Sequence, residues 1–209
     1  MLKIAHRGHK SKDNTREAFL NAIKHFDMLE ADIHKTADNR IVLFHDDFIE
    51  DRFIENMYLN QIRSIDPDVL SLDEFFAYFP PSKYKILLDL KGCTELANLL
   101  KTYIQENNIP LHNIIIASFN RKHLHSMFYS GIGVKLAFIT YNVFNSPEYG
   151  SILSLVDYLI IDTSILTKEL MQDIKPYNVK VLVCTCTSQY ICEYVKKFPI
   201  QGIISDIII

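Results

Sequence analysis

The sequence lacks tryptophan, lacks CxxC cysteine pairs and lacks a long apolar run, and these absences exclude several classes of protein. Its 209 residues include only 6 glycines, 7 prolines and 4 cysteines. Disordered and low-complexity chains are rich in glycine and proline, so this composition indicates an ordinary globular protein. No run approaches the ~20 apolar residues that cross a bilayer as a helix. A formal net charge of -3 offers no basic surface for nucleic acid.

The cysteines are not spaced as zinc ligands. Cys184 and Cys186 are two apart, which places them on one face of a strand, while Cys93 and Cys192 stand elsewhere. We therefore predict reduced cysteines in the core. The segment before His6 is too short for the apolar region of a signal peptide. A reducing cytoplasm is the expected location, without stable membrane insertion.

Short strand-like runs alternate with longer amphipathic segments. Runs such as 114–116 and 159–161 are apolar throughout, which is typical of parallel strands covered on both faces. The predicted strands are Leu2–Ala5, Met28–His34, Ile41–Phe44, Lys85–Leu90, Asn113–Ser118, Val134–Ile139, Tyr158–Asp162, Val179–Cys184 and Gly202–Ser205. The predicted helices are Thr15–His25, Ser71–Phe79, Glu95–Glu106, Arg121–Phe128, Lys168–Lys175 and Ser188–Lys197.

This alternation predicts an α/β fold, a compact (β/α)8 barrel of the TIM type. The pattern contains one strand more than a closed barrel needs, so we expect one edge element or one boundary to be wrong. Only four residues follow Ser205, which leaves no room for a last covering helix. No linker divides the chain, so residues 1–209 are expected to form one domain.

Polar side chains follow several of these apolar strands, at the end where such a barrel carries its active site. His6 and Arg7 follow the first strand, and His45 follows the third. Glu30 and Asp32 lie two apart on the second strand, so both carboxylates point to the same side. The spacing predicts a cluster of charged side chains at one mouth of the barrel.

Asp89 and Lys91 repeat the two-residue spacing at the end of another strand. Three carboxylates on one barrel face repel one another unless a cation lies among them. Ca²⁺ and Mg²⁺ prefer oxygen ligands, so the pattern favours a divalent ion. The pattern also places two imidazoles, an arginine and a lysine beside this ion. Such a set is typical of a site that binds and transforms phosphate esters, because cations bind phosphoryl oxygens and imidazoles transfer protons.

These residues stand in segments that closely resemble the signature of the glycerophosphodiester phosphodiesterase family. The matching segments are Ile4–Gly8, Asn14–Thr15 with Ala18–Phe19, Glu30–His34 with Thr36 and Asp38, His45–Asp46, Leu88–Lys91, Ser118–Asn120 and Gly202–Asp206. The resemblance covers nearly the whole chain. Its first block, up to His45–Asp46, is the most specific in residue order.

The resemblance implies catalytic and phosphate-binding roles. His6 and His45 match the two catalytic histidines of the family, one acting as general base and the other as general acid. Arg7 and Lys91 match the residues that neutralise the phosphate. His34 would share the side of the metal-binding carboxylates if its strand persists, which allows it a supporting role.

The resemblance also implies a metal and a substrate. Glu30 and Asp32 match two metal ligands, and Asp89 stands where the family usually has a third, a glutamate. One divalent ion is implied, either Mg²⁺ or Ca²⁺, with Mn²⁺ as a further candidate. The implied substrate is a small glycerophosphodiester, a deacylated phospholipid. Its hydrolysis would give sn-glycerol 3-phosphate and an alcohol such as choline, ethanolamine or inositol, by way of a cyclic phosphate.

Three departures from the family pattern bear on the substrate. Asp89 is one methylene shorter than the usual glutamate. The usual tryptophan-threonine-x-asparagine segment is replaced by Cys184–Thr187, which removes an aromatic wall beside the expected substrate. Asp13 replaces the glutamate before Asn14. The segment after His45 is also too short for the subdomain that some members insert there, which predicts an open mouth.

Two other functions stay open on the sequence. A lyase-like phospholipase of the sphingomyelinase D type would keep the barrel and the metal but release a cyclic phosphate as its final product. A non-catalytic barrel that binds phosphorylated ligands would show no turnover with any divalent ion. The presence of both His6 and His45 beside Glu30 and Asp32 argues against the non-catalytic alternative.

Overall fold

The structure is a computed structural model that describes residues 1–209, except for the side chain of Ser146. The strands are β1 Leu2–Ala5, β2 Met28–Lys35, β3 Ile41–Leu43, β4 Phe48–Ile49, β5 Arg52–Phe53, β6 Ile86–Leu90, β7 Ile114–Ser118, β8 Lys135–Thr140, β9 Tyr158–Asp162, β10 Lys180–Cys186 and β11 Gly202–Ser205. The helices are α1 Arg16–Ala22, α2 Leu59–Ile65, α3 Leu72–Tyr78, α4 Glu95–Glu106, α5 Arg121–Tyr129, α6 Ser146–Leu153, α7 Lys168–Ile174 and α8 Gln189–Val195.

Eight parallel strands close into a barrel, in the order β1–β2–β6–β7–β8–β9–β10–β11. The ring closes because β1 pairs with β11 on one edge and with β2 on the other. The predicted (β/α)8 barrel is confirmed. The surplus strand is β3, which pairs antiparallel with residues 33–35 at the end of β2, beyond the residues that pair with β1.

Three features of the fold were not predicted. Residues 47–81, where the only element predicted was the helix Ser71–Phe79, also contain the hairpin β4–β5 and helix α2. Helix α6 contains Pro147 and Gly150, which obscured its pattern. The proline lies in the first turn, where its missing N–H costs nothing. Asn145 and Glu148 cap the start of α6 with reciprocal hydrogen bonds.

The strands carry two layers of apolar side chains that alternate along each strand. The barrel interior is filled by side chains from all eight strands, among them Ile4, Leu87, Ile139 and Ile204. The alternate residues face outward and pack against the helices in a larger outer core. This period of two fixes which polar residues point into the barrel at its carboxyl end.

No helix follows β11 within the described residues, and the tail after it contributes apolar contacts instead. Ile207 and Ile209 are partly buried and pack against the outer core. Among the described residues, every helix is too short or too polar to span a bilayer.

Candidate active site

The candidate site lies where the inward-facing rows of the strands continue past the apolar interior. On β1 the row runs from Ile4 to His6, and on β6 it runs from Leu87 to Asp89. All parallel strands end at the same mouth, so these rows converge there. The seven residues that the sequence indicated all line one small pocket, namely His6, Arg7, Glu30, Asp32, His45, Asp89 and Lys91.

The three carboxylates form a buried cluster at the floor of this pocket. Glu30, Asp32 and Asp89 each offer one oxygen within 4.8 Å of the others. Asp32 and Asp89 are direct neighbours in the pairing of β2 with β6. Each of the three residues is at most 4% exposed.

Two cationic side chains contact the cluster but do not balance its charge. Lys91 Nζ lies 2.6 Å from Asp89 Oδ2 and 3.2 Å from Asp32 Oδ1. Arg7 Nε lies 3.0 Å from Asp32 Oδ2, and the Arg7 backbone N–H donates to Glu30 Oε2 at 2.9 Å. Three carboxylates against two cations leave one negative charge over when all are ionised.

The pKa values of Glu30 and Asp89 show that burial disfavours the ionisation of all three carboxyl groups at once. Burial, followed by the field of Asp32, raises the pKa of Glu30 to about 8. Burial also raises the pKa of Asp89 to about 7, although Lys91 opposes it. Burial acts in the same direction on Asp32, but Lys91 and Arg7 outweigh it and lower the pKa of that carboxyl.

A divalent cation fits this donor set. Asp89 Oδ1 is buried without a hydrogen-bond partner among the described residues, so one ligand oxygen is left unused by the protein. The cluster offers only oxygen donors, which are the ligands that Mg²⁺, Ca²⁺ and Mn²⁺ favour. A buried acceptor without a partner is costly, and a cation would satisfy it.

The first loop brings Arg7 and Asn14 to the cluster through an unusual backbone. Arg7 and Asn14 both have positive φ, and Asn14 N–H donates to the Arg7 carbonyl at 2.8 Å. Gly8, at φ 102°, lies so close to Ala18 that a Cβ would stand 2.4 Å from the Ala18 methyl. Only glycine fits there.

Asn14 holds Asp32 from both sides, a role that the sequence did not reveal. Its Nδ2 donates to Asp32 Oδ2 at 3.0 Å, and its Oδ1 accepts from the Asp32 backbone N–H at 3.2 Å. Asn14 is 4% exposed. The pair fixes the rotamer of one predicted metal ligand.

Each histidine at the mouth is paired with a carboxylate through Nδ1. His6 Nδ1 lies 2.7 Å from Asp206 Oδ1, and His45 Nδ1 lies 2.6 Å from Asp46 Oδ1. These contacts leave Nε2 of both rings for a substrate. Burial lowers the pKa of His6, but the bond to Asp206 and the field of Glu30 raise it by more, so the pKa of His6 lies above its ordinary value.

His34, which the sequence predicts in a supporting role, contacts the backbone of His45. It is 2% exposed, and its Nε2 donates to the His45 carbonyl across 3.3 Å. Burial lowers the pKa of His34, which favours the neutral ring. The contact braces the backbone that carries His45.

An aromatic wall on the far side of the pocket was missed by the sequence reasoning. Phe119 and Tyr141 continue the inward rows of β7 and β8, and both line the pocket. Cys184 and Thr185 line it where the family pattern has tryptophan. Counting two residues on from Ala117 and Ile139 would have found both rings.

Fold and site together define a (β/α)8-barrel enzyme whose mouth gathers carboxylates, imidazoles and two cationic side chains. Residues 6–123 match the model of the glycerophosphoryl diester phosphodiesterase family. The chain belongs to this family, which makes it a phosphoric diester hydrolase. The resemblance seen in the sequence is confirmed.

Known relatives agree with this assignment. A protein of Bacillus subtilis (strain 168) named "Putative glycerophosphodiester phosphodiesterase YhdW" is 22% identical over 99% of this chain and 94% of its own length. A crystallised glycerophosphodiester phosphodiesterase from Parabacteroides distasonis has a TM-score of 0.86 at 17% identity, covering 99% of this chain and 93% of that one. An Oleispira antarctica phosphodiesterase, solved with the product sn-glycerol-3-phosphate, has a TM-score of 0.87 at 20% identity, covering 99% and 93%.

Proposed function

We propose that the protein hydrolyses glycerophosphodiesters to sn-glycerol 3-phosphate and an alcohol, with the help of one divalent metal ion. One observation carries the proposal: three buried carboxylates, two histidines and two cations line a single pocket. The family membership supports the substrate class. The product bound to the Oleispira antarctica phosphodiesterase supports the same class. Neither observation favours the sphingomyelinase D or non-catalytic alternatives.

The phosphate would be held by cations on two sides of the pocket. Arg7 and Lys91 follow the carboxyl ends of β1 and β6 respectively, and each already contacts Asp32. Glu30, Asp32 and Asp89 would hold the metal, with Asn14 fixing Asp32. When bound, a divalent ion neutralises phosphoryl charge and makes a nearby hydroxyl more acidic.

The two histidines would move the protons. In the first step one histidine takes the proton of the glycerol 2-hydroxyl as its oxygen attacks phosphorus. The other histidine gives a proton to the departing alcohol oxygen, so a cyclic phosphate and a free alcohol result. In the second step the histidines exchange roles while water opens the ring. The pairing of His6 with Asp206 and of His45 with Asp46 orients both rings for this work.

Two further points belong to the proposal. Residues 1–209 would act as one catalytic domain, because the pocket draws on residues from both ends of the chain. A reducing cytoplasmic location is supported by four cysteines that are all free in the structure.

Turnover of glycerophosphocholine with Mg²⁺, Ca²⁺ or Mn²⁺ tests the proposal. Phosphorus NMR should show sn-glycerol 3-phosphate accumulating with at least one ion and none after chelation. His6→Ala and His45→Ala should each lower kcat by at least about a hundredfold. The exposed His112 offers a matched control, and His112→Ala should keep full activity.

Three outcomes would contradict the proposal. Activity that survives chelation would show that the reaction does not need a divalent ion. Full activity of either histidine variant would remove its acid–base role. A cyclic phosphate that persists as the final product would assign the lyase-like reaction instead.

A further inference from the structure

Two stacked aromatic rings form the outer part of the pocket wall. Phe119 follows β7 and Tyr141 follows β8. Their ring centroids are 4.8 Å apart with an interplanar angle of 26°. Tyr141 is 58% exposed, whereas Phe119 is partly buried beside the polar floor. An aromatic pair that is open to solvent on one side is available to a ligand.

The position of the rings matches the alcohol half of a substrate. The attacking glycerol hydroxyl must lie near the buried carboxylates, so the alcohol on the other side of phosphorus extends toward the rim. Lys91, which would hold the phosphate, has its Nζ 5.3 Å from the Phe119 ring centroid. A phosphate on Lys91 therefore brings the alcohol half next to the ring pair.

We propose that Phe119 and Tyr141 select glycerophosphodiesters whose alcohol carries a quaternary ammonium group, as choline does. This inference rests on the proposed function, since it takes the phosphate to lie against Arg7 and Lys91. Aromatic faces attract cations, and a quaternary ammonium has no N–H to donate elsewhere. The pair supplies an aromatic wall in a chain that has no tryptophan.

Charge at the rim is compatible with a cationic head group. Besides burial, Cys184 raises the pKa of Tyr141, Lys91 lowers it, and the fields of Asp162 and Asp89 raise it. Burial is the largest cause of the raised pKa of Tyr141, so its ring stays a neutral phenol. The attraction would therefore come from the ring face and would not require the hydroxyl.

The sharpest test compares glycerophosphocholine with its neutral isostere, the 3,3-dimethylbutyl ester of glycerol phosphate. The two substrates differ in one charge and hardly in shape. The quantity to measure is the ratio of kcat/KM for the charged substrate to kcat/KM for the neutral one, in the parent protein and in variants. Leaving-group chemistry is the same in every variant, so a change in this ratio reports the head-group contact.

Tyr141→Leu should lower the ratio about three- to thirtyfold, the range expected for losing one cation–aromatic contact. Tyr141→Phe keeps the ring face and should leave the ratio within about twofold of the parent value. Tyr129→Leu is the matched control, because Tyr129 is exposed at the C-terminal end of α5 and lines no part of this pocket. An unchanged ratio in Tyr141→Leu would overturn the inference, and so would an equal fall in Tyr129→Leu.

Failure of the proposed function can be told apart from failure of this inference. If the parent protein hydrolyses neither substrate with any divalent ion, the proposed function fails. Calorimetric titration of the same two esters then gives a ratio of dissociation constants. A preference for the choline ester that is lost in Tyr141→Leu would support the inference; equal affinities, or no binding of either ester, would overturn it.

Discussion

His6 and Asp206 are 200 positions apart in the sequence, yet His6 Nδ1 lies 2.7 Å from Asp206 Oδ1. The pairing of β1 with β11 creates this contact, because Ala5 and Ser205 are register partners and His6 and Asp206 directly follow them. Asp206 is about half exposed and His6 is largely buried. A carboxylate in this position fixes the ring orientation and leaves Nε2 for the substrate.

Asp206→Asn should therefore lower kcat by about ten- to a hundredfold, with KM little changed. The amide keeps the shape of the carboxylate but removes the charge that supports protonated His6. The pH–rate profile should shift to lower pH on the limb that belongs to His6, because the carboxylate raises the pKa of His6. A purely structural role would lower stability and leave this limb in place.

Asp89→Asn should weaken metal binding by at least about tenfold. The variant replaces a predicted ligand carboxylate whose buried Oδ1 has no hydrogen-bond partner among the described residues. Calorimetric titration with Mn²⁺ would measure the change. Asp157→Asn changes a carboxylate outside the site and is the control. Unaltered Mn²⁺ affinity in Asp89→Asn would exclude Asp89 as a ligand.

Asn14→Ala should lower both stability and metal affinity. The substitution leaves the buried Asp32 without two hydrogen bonds, and an unpaired buried polar group costs about 1–3 kcal/mol. Urea unfolding without metal measures the free energy of unfolding, and Mn²⁺ titration measures the affinity. Asn39→Ala, at another positive-φ asparagine outside the site, controls for the backbone effect. If both variants lose the same stability and neither loses affinity, the bracing of Asp32 is refuted.

His123 should make the fold less stable in acid. The ring is fully buried, with Nε2 2.9 Å from the Cys93 carbonyl and Nδ1 3.0 Å from Ser118 Oγ. Burial lowers its pKa below the ordinary value of 6.5. The unfolded chain therefore binds the proton more readily. The contribution of neutral His123 to the free energy of unfolding is complete above about pH 6.5. It is lost as the pH falls below that value, by at most about 1.4 kcal/mol per pH unit.

Urea unfolding at pH 7 and at pH 5 measures this effect as a difference between two proteins. Other buried histidines, such as His34, also titrate, so the parent protein alone is not informative. His123→Gln is less stable at pH 7 but should lose less free energy of unfolding between the two pH values than the parent protein. An equal loss in both proteins would show that His123 does not carry the effect.

The sequence by itself determined the barrel and most of the site. Strand spacing is local: once a strand forms, a period of two sets which side chains share a face, so Glu30 and Asp32 could be assigned together. Short, continuous apolar runs such as 114–116 predicted parallel strands covered on both faces, and this run lies in the buried strand Ile114–Ser118. The family signature added the roles of His6, His45, Arg7, Lys91 and Asp89, which remain predictions until the variants are measured.

Only the tertiary structure decided the contacts between distant residues. Strand β3 leaves the ring because β1 and β11 already close it, and no local pattern distinguishes an inner strand from an outer one. The bond from Asp206 to His6 and the stack of Phe119 on Tyr141 depend on register between strands. Barrel closure and strand stagger fix that register through packing of the whole interior, which local spacing does not specify. The local sequence pattern therefore predicted the barrel, whereas the contacts between distant residues around the site depend on how the strands pair.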